Sequence, residues 1–386
     1  MPRALSLTVT LLVLPLGYAR ADAPPERDGN AALKYWQAFA TLPTLTHDEQ
    51  YKLYRDCLSM PLDARARELV GKADYSLEMM RRGAALPRCD WGITYEDGVY
   101  LRVPQGPAAR TLAALACLRA RLRFEAGRNA EALDDVVAAM TLGRHVSREG
   151  GFILLLVGYA IDARAGETLA AYLPRLDTKA VQGLKTRLDA LPPFASQATA
   201  LRTCEKETLD WFIREVKAAK DEERLLALLG FVGVSEGKEG GKRDVRGAAR
   251  AFLRECGGTK EGVLKYAEEA RPSYDRLAKK LELPPEQFDK EFEREAKKQA
   301  GNPVFKVFFP ALPKCRQSQA RADARRALLS AALAVRLDGP DALKKHPDPV
   351  GGGPFEYVPF EGGFELRSKF KVEDKPLSLT VGRRGK

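Results

Sequence analysis

Three carboxylates and two aromatic rings crowd one short stretch of this chain: Asp90, Glu96 and Asp97, with Trp91 and Tyr95 between them. Paired carboxylates beside rings that can stack on a sugar are the equipment of carbohydrate binding and glycoside cleavage, where one group donates a proton and the other attacks or activates water. The plainer reading uses the same residues for folding. Asp90 caps a turn, Trp91 anchors the loop in the core, and Glu96-Asp97-Gly98 forms the tip of a β-hairpin within residues 88–106.

Other signatures of chemistry are weaker. Gly233-Val234-Ser235-Glu236-Gly237 fits G-x-S-x-G, and Ser235 with Lys238 fits S-x-x-K. A nucleophile elbow needs a strand before the serine and a helix after it. Here an apolar helix precedes and a Gly- and charge-rich linker over 235–243 follows, with His346 the sole downstream histidine, so Ser235 reads as a linker residue. The other histidines are His47 and His145. With three in all, and neither H-E-x-x-H nor C-x-x-C, no metal site and no cofactor is expected. His145 falls near a helix C-terminus, where a cation favours the dipole. Lys314, Arg316, Arg321, Arg325 and Arg326 form the densest basic patch, with Arg321 and Arg325 on one helical face. That stripe would take an anionic polysaccharide; lacking interleaved aromatics, it does not predict nucleic-acid binding.

The elements that must hold these groups are mostly helices. Charged residues make up 30% of the 386 and aromatic residues 8%, the usage of helix-rich proteins. Arg3, the apolar run Ala4 to Leu16 and Ala19-Arg20-Ala21 form a secretory signal peptide over 1–21. Cleavage after Ala21 would remove Arg3 and Arg20 and turn the formal charge of +11 into +9, interspersed along the chain as on solvated helix faces. Phe152 to Val157 and Leu225 to Val234 are too short to span a bilayer, so no integral membrane protein is expected. Export would place Cys57, Cys89, Cys117, Cys204, Cys256 and Cys315 where disulfides form. Their spacing does not choose among 15 full pairings. Cys256 and Cys315, flanking helix ends, are the expected bridge, and Cys117, within Leu112, Leu115, Leu118 and Leu122, reads as a buried thiol.

Helical punctuation recurs throughout. Asn30 to Leu42 predicts a helix with Leu33, Trp36 and Ala40 on its apolar face; Thr46 and Glu49 form a capping box, and Asp63 opens a helix to Leu86. Pro107 to Gly127 and a helix capped by Asn129 make a hairpin. Ile153 to Leu173 and the helix after Asp177 follow, and Pro192-Pro193 closes an N-terminal helical-hairpin region over 22–195. The second helical region, 196–346, begins with a long helix from Ser196 to about Lys220, running on to Leu229, and ends with one over Arg316 to Leu337. Three short strands over 347–386, with Phe355, Tyr357, Phe364 and Leu366 on one face, must dock on the helices. The expected fold is mainly α, an array of antiparallel helical hairpins (TPR-like, α-solenoid-like) with a small C-terminal antiparallel β element.

Phe124-Glu125-Ala126-Gly127 leading to Ala130-Glu131-Ala132-Leu133, Ala139 and Leu142 resembles the turn and second helix of a tetratricopeptide repeat. Ala116, Arg119 and Arg123 depart from its first helix, and no second copy follows at 34 residues. Asn30-Ala31-Ala32 with Tyr35-Trp36, Arg88-Cys89-Asp90-Trp91-Gly92, Gly143-Arg144-His145-Val146, Asp348-Pro349, Phe355-Glu356-Tyr357 and Gly363-Phe364-Glu365-Leu366-Arg367-Ser368 resemble uncharacterised exported proteins of planctomycete bacteria. That resemblance spans most of the mature chain and implies a secreted or periplasmic location and a helical body, without a catalytic residue to carry over. The expectation is a non-enzymatic exported scaffold offering a grooved surface to an envelope protein or peptide. The alternative is an envelope hydrolase acting on carbohydrate or peptide through Asp90, Glu96 or Asp97.

Overall fold

The structure, a computed structural model, describes residues 29–233 and 244–384. The expected signal peptide over 1–21 and the expected linker over 235–243, with Ser235, lie outside the described residues. Four short helices open the fold: α1 (Ala31–Ala40), α2 (His47–Asp56), α3 (Ala64–Lys72) and α4 (Asp74–Ala84). Three long ones follow, α5 (Gln105–Glu125), α6 (Asn129–Val146) and α7 (Gly151–Tyr172), then α8 (Thr178–Asp189). The next set is α9 (Gln197–Ala200), α10 (Lys206–Ala218), α11 (Glu222–Gly233), α12 (Val245–Glu255), α13 (Lys260–Ala270), α14 (Pro272–Ala278), α15 (Pro285–Lys298) and α16 (Pro303–Phe308). The long α17 (Leu312–Asp338) leads to strands β1 (Glu356–Phe360), β2 (Gly363–Val372) and β3 (Lys375–Val381). The molecule is mainly helical, with a small antiparallel sheet, and among the described residues no helix is long and apolar enough to cross a membrane.

Local chemistry explains most boundaries. Thr46 and Glu49 close the capping box on α2, and Asp63 and Asp177 accept the backbone N–H groups of Ala66 and Ala180. Each such cap is worth about 1 kcal/mol. Gly127, at φ +74°, turns the chain between α5 and α6. Other expectations need correction. The helix predicted from Asp63 to Leu86 is two, broken at the buried Ala73, and the bend sends Val70 and Leu77 into one core. The helix predicted from Ser196 to Leu229 is interrupted twice: residues 201–205 form a π turn, and Ala219 is extended. The first residue of α6 is Asn129 itself, without a side-chain cap. On α1 the buried face is Ala31, Ala32, Tyr35 and Ala38, while Leu33 and Trp36 point outward. Small residues face inward because α1 lies close on α4, where a Cβ at Gly83 would stand 2.7 Å from the Tyr35 ring.

Apolar side chains gather in two cores. The first joins α1 to α8, the second half of α17 and the sheet. The second joins the start of α7, the helices from α9 to α16 and the start of α17. Pro192-Pro193 falls between them, and α7 and α17 belong to both. Within the first core, Arg119 explains the departure from the repeat pattern: it forks onto the fully buried Asp135 at 3.0 and 2.6 Å, Arg123 joins at 2.6 Å, and Arg119 also reaches Asp74 at 2.9 Å. An ion-paired cluster is set into the apolar packing between α5 and α6.

The terminal strands dock on α7 and α17, as their apolar alternation requires. Their order is β1-β2-β3, with Phe360 opposite Gly363 and Val372 opposite Lys375, so both hairpins have two-residue turns. Leu366, Leu379 and Val381 enter the first core, and the Gly382 N–H donates to the Ala170 carbonyl at 2.9 Å. Asp348 locks the approach to the sheet, accepting from the N–H groups of Val350 and Gly351 and from the Ser368 hydroxyl.

Candidate functional site

Residues 88–106 form no β-hairpin; that expectation is corrected. Gly98–Tyr100 is a short 3-10 turn, and the strand pairing is replaced by side-chain anchors. Gly98 adopts φ +52° and lies so close to Trp211 that a Cβ would stand 2.1 Å from the indole. Pinning this backbone to the second core leaves no room for a free hairpin. At the other end, Asn30 brackets Asp90, donating to its carbonyl at 2.8 Å and accepting its N–H at 2.9 Å.

Trp91 is the centre of an aromatic box. Its ring stacks on Tyr35 and Phe39, with centroids 5.7 and 6.0 Å away, and meets Trp36 edge-on at 5.8 Å. The indole N–H donates to the His145 carbonyl at 2.9 Å, and the Trp91 and Ile93 amides donate to the Glu149 carboxylate. His145 is fully buried, with Nδ1 2.9 Å from the Tyr35 hydroxyl. Burial first and the Arg148 charge second push its pKa down to about 4. It is neutral at pH 7, so its expected role as a dipole-favoured cation is corrected. Although it ends a helix, this ring faces the core.

The predicted carboxylates do not converge. Asp90 accepts the Gly92 N–H at 2.9 Å and pairs with Arg88 at 3.3 Å, which together hold its carboxyl below the usual range. Glu96 and Asp97 are exposed on the turn. The partly buried carboxylates nearby are two that carried no sequence signal, Glu149 and Glu205. Burial raises the pKa of both. Glu205, on the π turn, accepts the Phe152 N–H at the start of α7 at 3.2 Å, and a Cβ on Gly151 would meet Cys204 and Glu205 at 2.6 Å. These groups satisfy backbone amides where the two cores meet.

The basic stripe is also largely spent on packing. Arg325 lies 3.8 Å from Glu167, and Arg321 is half-buried, its pKa lowered by burial first and the Arg325 charge second. Arg316 donates to the Leu283 carbonyl, and Arg326 pairs with Asp323 while lying over the Phe194 ring. Arg144 covers that ring at 3.9 Å and binds the buried Asp162 at 2.7 Å. A 180 Å³ cavity opens beside this pair, between α6, α7, α8 and α17. The expected Cys256–Cys315 bridge is not formed: all six cysteines are buried free thiols, and these two both lie in the second core.

A different surface is open. Helices α2 and α3, with the turns before each, enclose a 470 Å³ groove whose floor is Leu53 and Ala66 and whose half-buried walls are Pro43, Leu45, Met60 and Leu69. Charges of both signs rim it: Glu49 with Arg65 at 3.4 Å, Glu68 with Lys72 at 2.7 Å, and Lys52 and Asp63. No protein-family model, curated protein or solved structure matches the chain. The groove's chemistry must therefore speak for itself. Leu69 belongs to the amphipathic pattern of α3, and Leu45 and Met60 lie in the turns before α2 and α3; their sequence looks like ordinary core, and what it omits is a neighbour to cover them.

Proposed function

We propose that this protein is an exported, non-enzymatic helical scaffold of the bacterial cell envelope, related to the planctomycete proteins it resembles, which holds an apolar segment of a partner protein in the groove between α2 and α3. The observation that carries the reading is the groove: its walls are apolar and half-exposed, and its rim carries both charge signs, which suits an amphipathic helix or extended peptide with mixed charges. The hairpin at α5 and α6 is read as a degenerate TPR-like pair, a scaffold type that presents long surfaces to peptides. Hydrolysis through Asp90, Glu96 and Asp97 loses its support, since Glu96 and Asp97 face solvent and Asp90 is bound to its own loop.

Site-specific photo-cross-linking in the cell of origin tests this. A photoreactive residue at Lys72, on the groove rim, should trap one envelope protein, and Leu69→Arg should abolish that adduct while leaving the far-ultraviolet circular dichroism unchanged. Equal capture from Arg187, on α8, would mean that the groove is not the binding surface. An N-terminus beginning at Met1 in native protein would remove export from the proposal.

A further inference from the structure

Cys57 and Cys117 come from distant parts of the sequence and meet in the first core, both with no solvent exposure. Cys57 closes the C-terminus of α2, and Cys117 lies in the middle of α5. Arg121, one turn after Cys117 on α5, donates from Nη1 to the Cys57 carbonyl, so the end of α2 is docked on the face of α5 that carries Cys117. The Cys117 thiol neighbours the Cys57 thiol and the Thr168 side chain, and the Thr168 hydroxyl donates to the Arg164 carbonyl. Burial is the leading influence on the other four cysteines, raising Cys89, Cys204 and Cys256 to about 12 and Cys315 to about 11.

We propose that Cys57 and Cys117 are a disulfide-forming pair, oxidised by thiol–disulfide exchange with a small-molecule or protein disulfide as the chain folds. The Cys57 thiolate attacks one sulfur of the donor disulfide, forming a mixed disulfide and releasing the first donor thiolate. Cys117, having lost its proton to solvent, then attacks the Cys57 sulfur and displaces the second donor thiolate. Two protein thiols are oxidised and one donor disulfide is reduced to two thiols. Both sulfurs are sealed in the finished core, so exchange belongs to the stage before α2 docks on α5. The resulting bridge would tie the end of the groove wall to α5, whatever occupies the groove.

The test needs no assumption about export. Full-length protein is denatured, reduced, refolded in a mixture of reduced and oxidised glutathione, isolated as the folded monomer, alkylated under denaturing conditions and digested with trypsin without reduction. The expected result is one cross-linked product joining Asp56–Arg65 to Thr111–Arg119, with Cys89, Cys204, Cys256 and Cys315 alkylated. The same protein should melt about 5–10 °C higher before reduction than after, a difference that Cys57→Ala abolishes. Alkylation of all six cysteines, or a bridge joining any other pair, Cys256 to Cys315 included, would overturn the proposal.

Discussion

The loop over 88–106 and the groove between α2 and α3 invert what their sequences advertise. The loop carries carboxylates and aromatic rings, yet Trp91 is enclosed by Tyr35, Trp36 and Phe39, and Asp90 serves its own turn. The helices α2 and α3 carry no catalytic signature, yet they leave a 470 Å³ apolar concavity open. The lesson is that residue types capable of chemistry become a site only where the fold leaves them converging on unfilled space. A rich loop whose hydrogen bonds are all answered is a structural joint, and a plain helix pair lacking a covering neighbour is a surface for something else.

Four measurements would break or sharpen that contrast. The largest effect is expected from Trp91→Ala, which removes the centre of the aromatic box and should cost about 3–5 kcal/mol in urea denaturation, whereas Leu69→Ala in the half-open groove should cost less than about 1.5 kcal/mol. A similar cost at both positions would erase the distinction.

The second concerns pH. His145 has a pKa of about 4 when folded, below the ordinary 6.5 of an unfolded histidine, so the unfolded chain takes up the proton first as pH falls. Its contribution is steady above pH 6.5 and is lost progressively toward pH 4. Relative to His145→Gln, the wild type should lose about 3 kcal/mol between pH 7 and pH 4 in paired urea titrations. Glu149 and Glu205 act in the opposite sense, since their raised pKa values favour the folded state as pH falls, but both are present in each protein and cancel in the comparison. Parallel pH curves for the two proteins would mean that the box is open to water.

Third, Asp90→Ala should lower the urea midpoint slightly, by far less than Trp91→Ala, because an exposed turn cap and a surface ion pair contribute little. The smallest effect should come from Glu96→Gln with Asp97→Asn, within about 0.5 kcal/mol of wild type by the same method. A large loss of stability from that pair of exposed residues would show that the turn carries more of the fold than its exposure indicates.

Much of the local structure was legible in the chain. The Thr46–Glu49 box, the caps at Asp63 and Asp177, the turn at Gly127 and the alternation of the terminal strands each arise from interactions within a few residues, so sequence alone determined them. The partition of the cores was visible only as a proline pair. Three matters belong to the tertiary structure. Which face of α1 is buried depends on how closely α4 approaches, and that is set by Gly83 against Tyr35, 48 positions apart. Whether Asp90, Glu96 and Asp97 form a site depends on Asn30 and Trp211, which pin the loop from both sides. Which cysteines meet depends on α2 docking on α5, bringing together sulfurs from positions 57 and 117. Periodicity, capping and turn chemistry are properties of neighbouring residues; convergence is a property of distant ones, and only packing decides it.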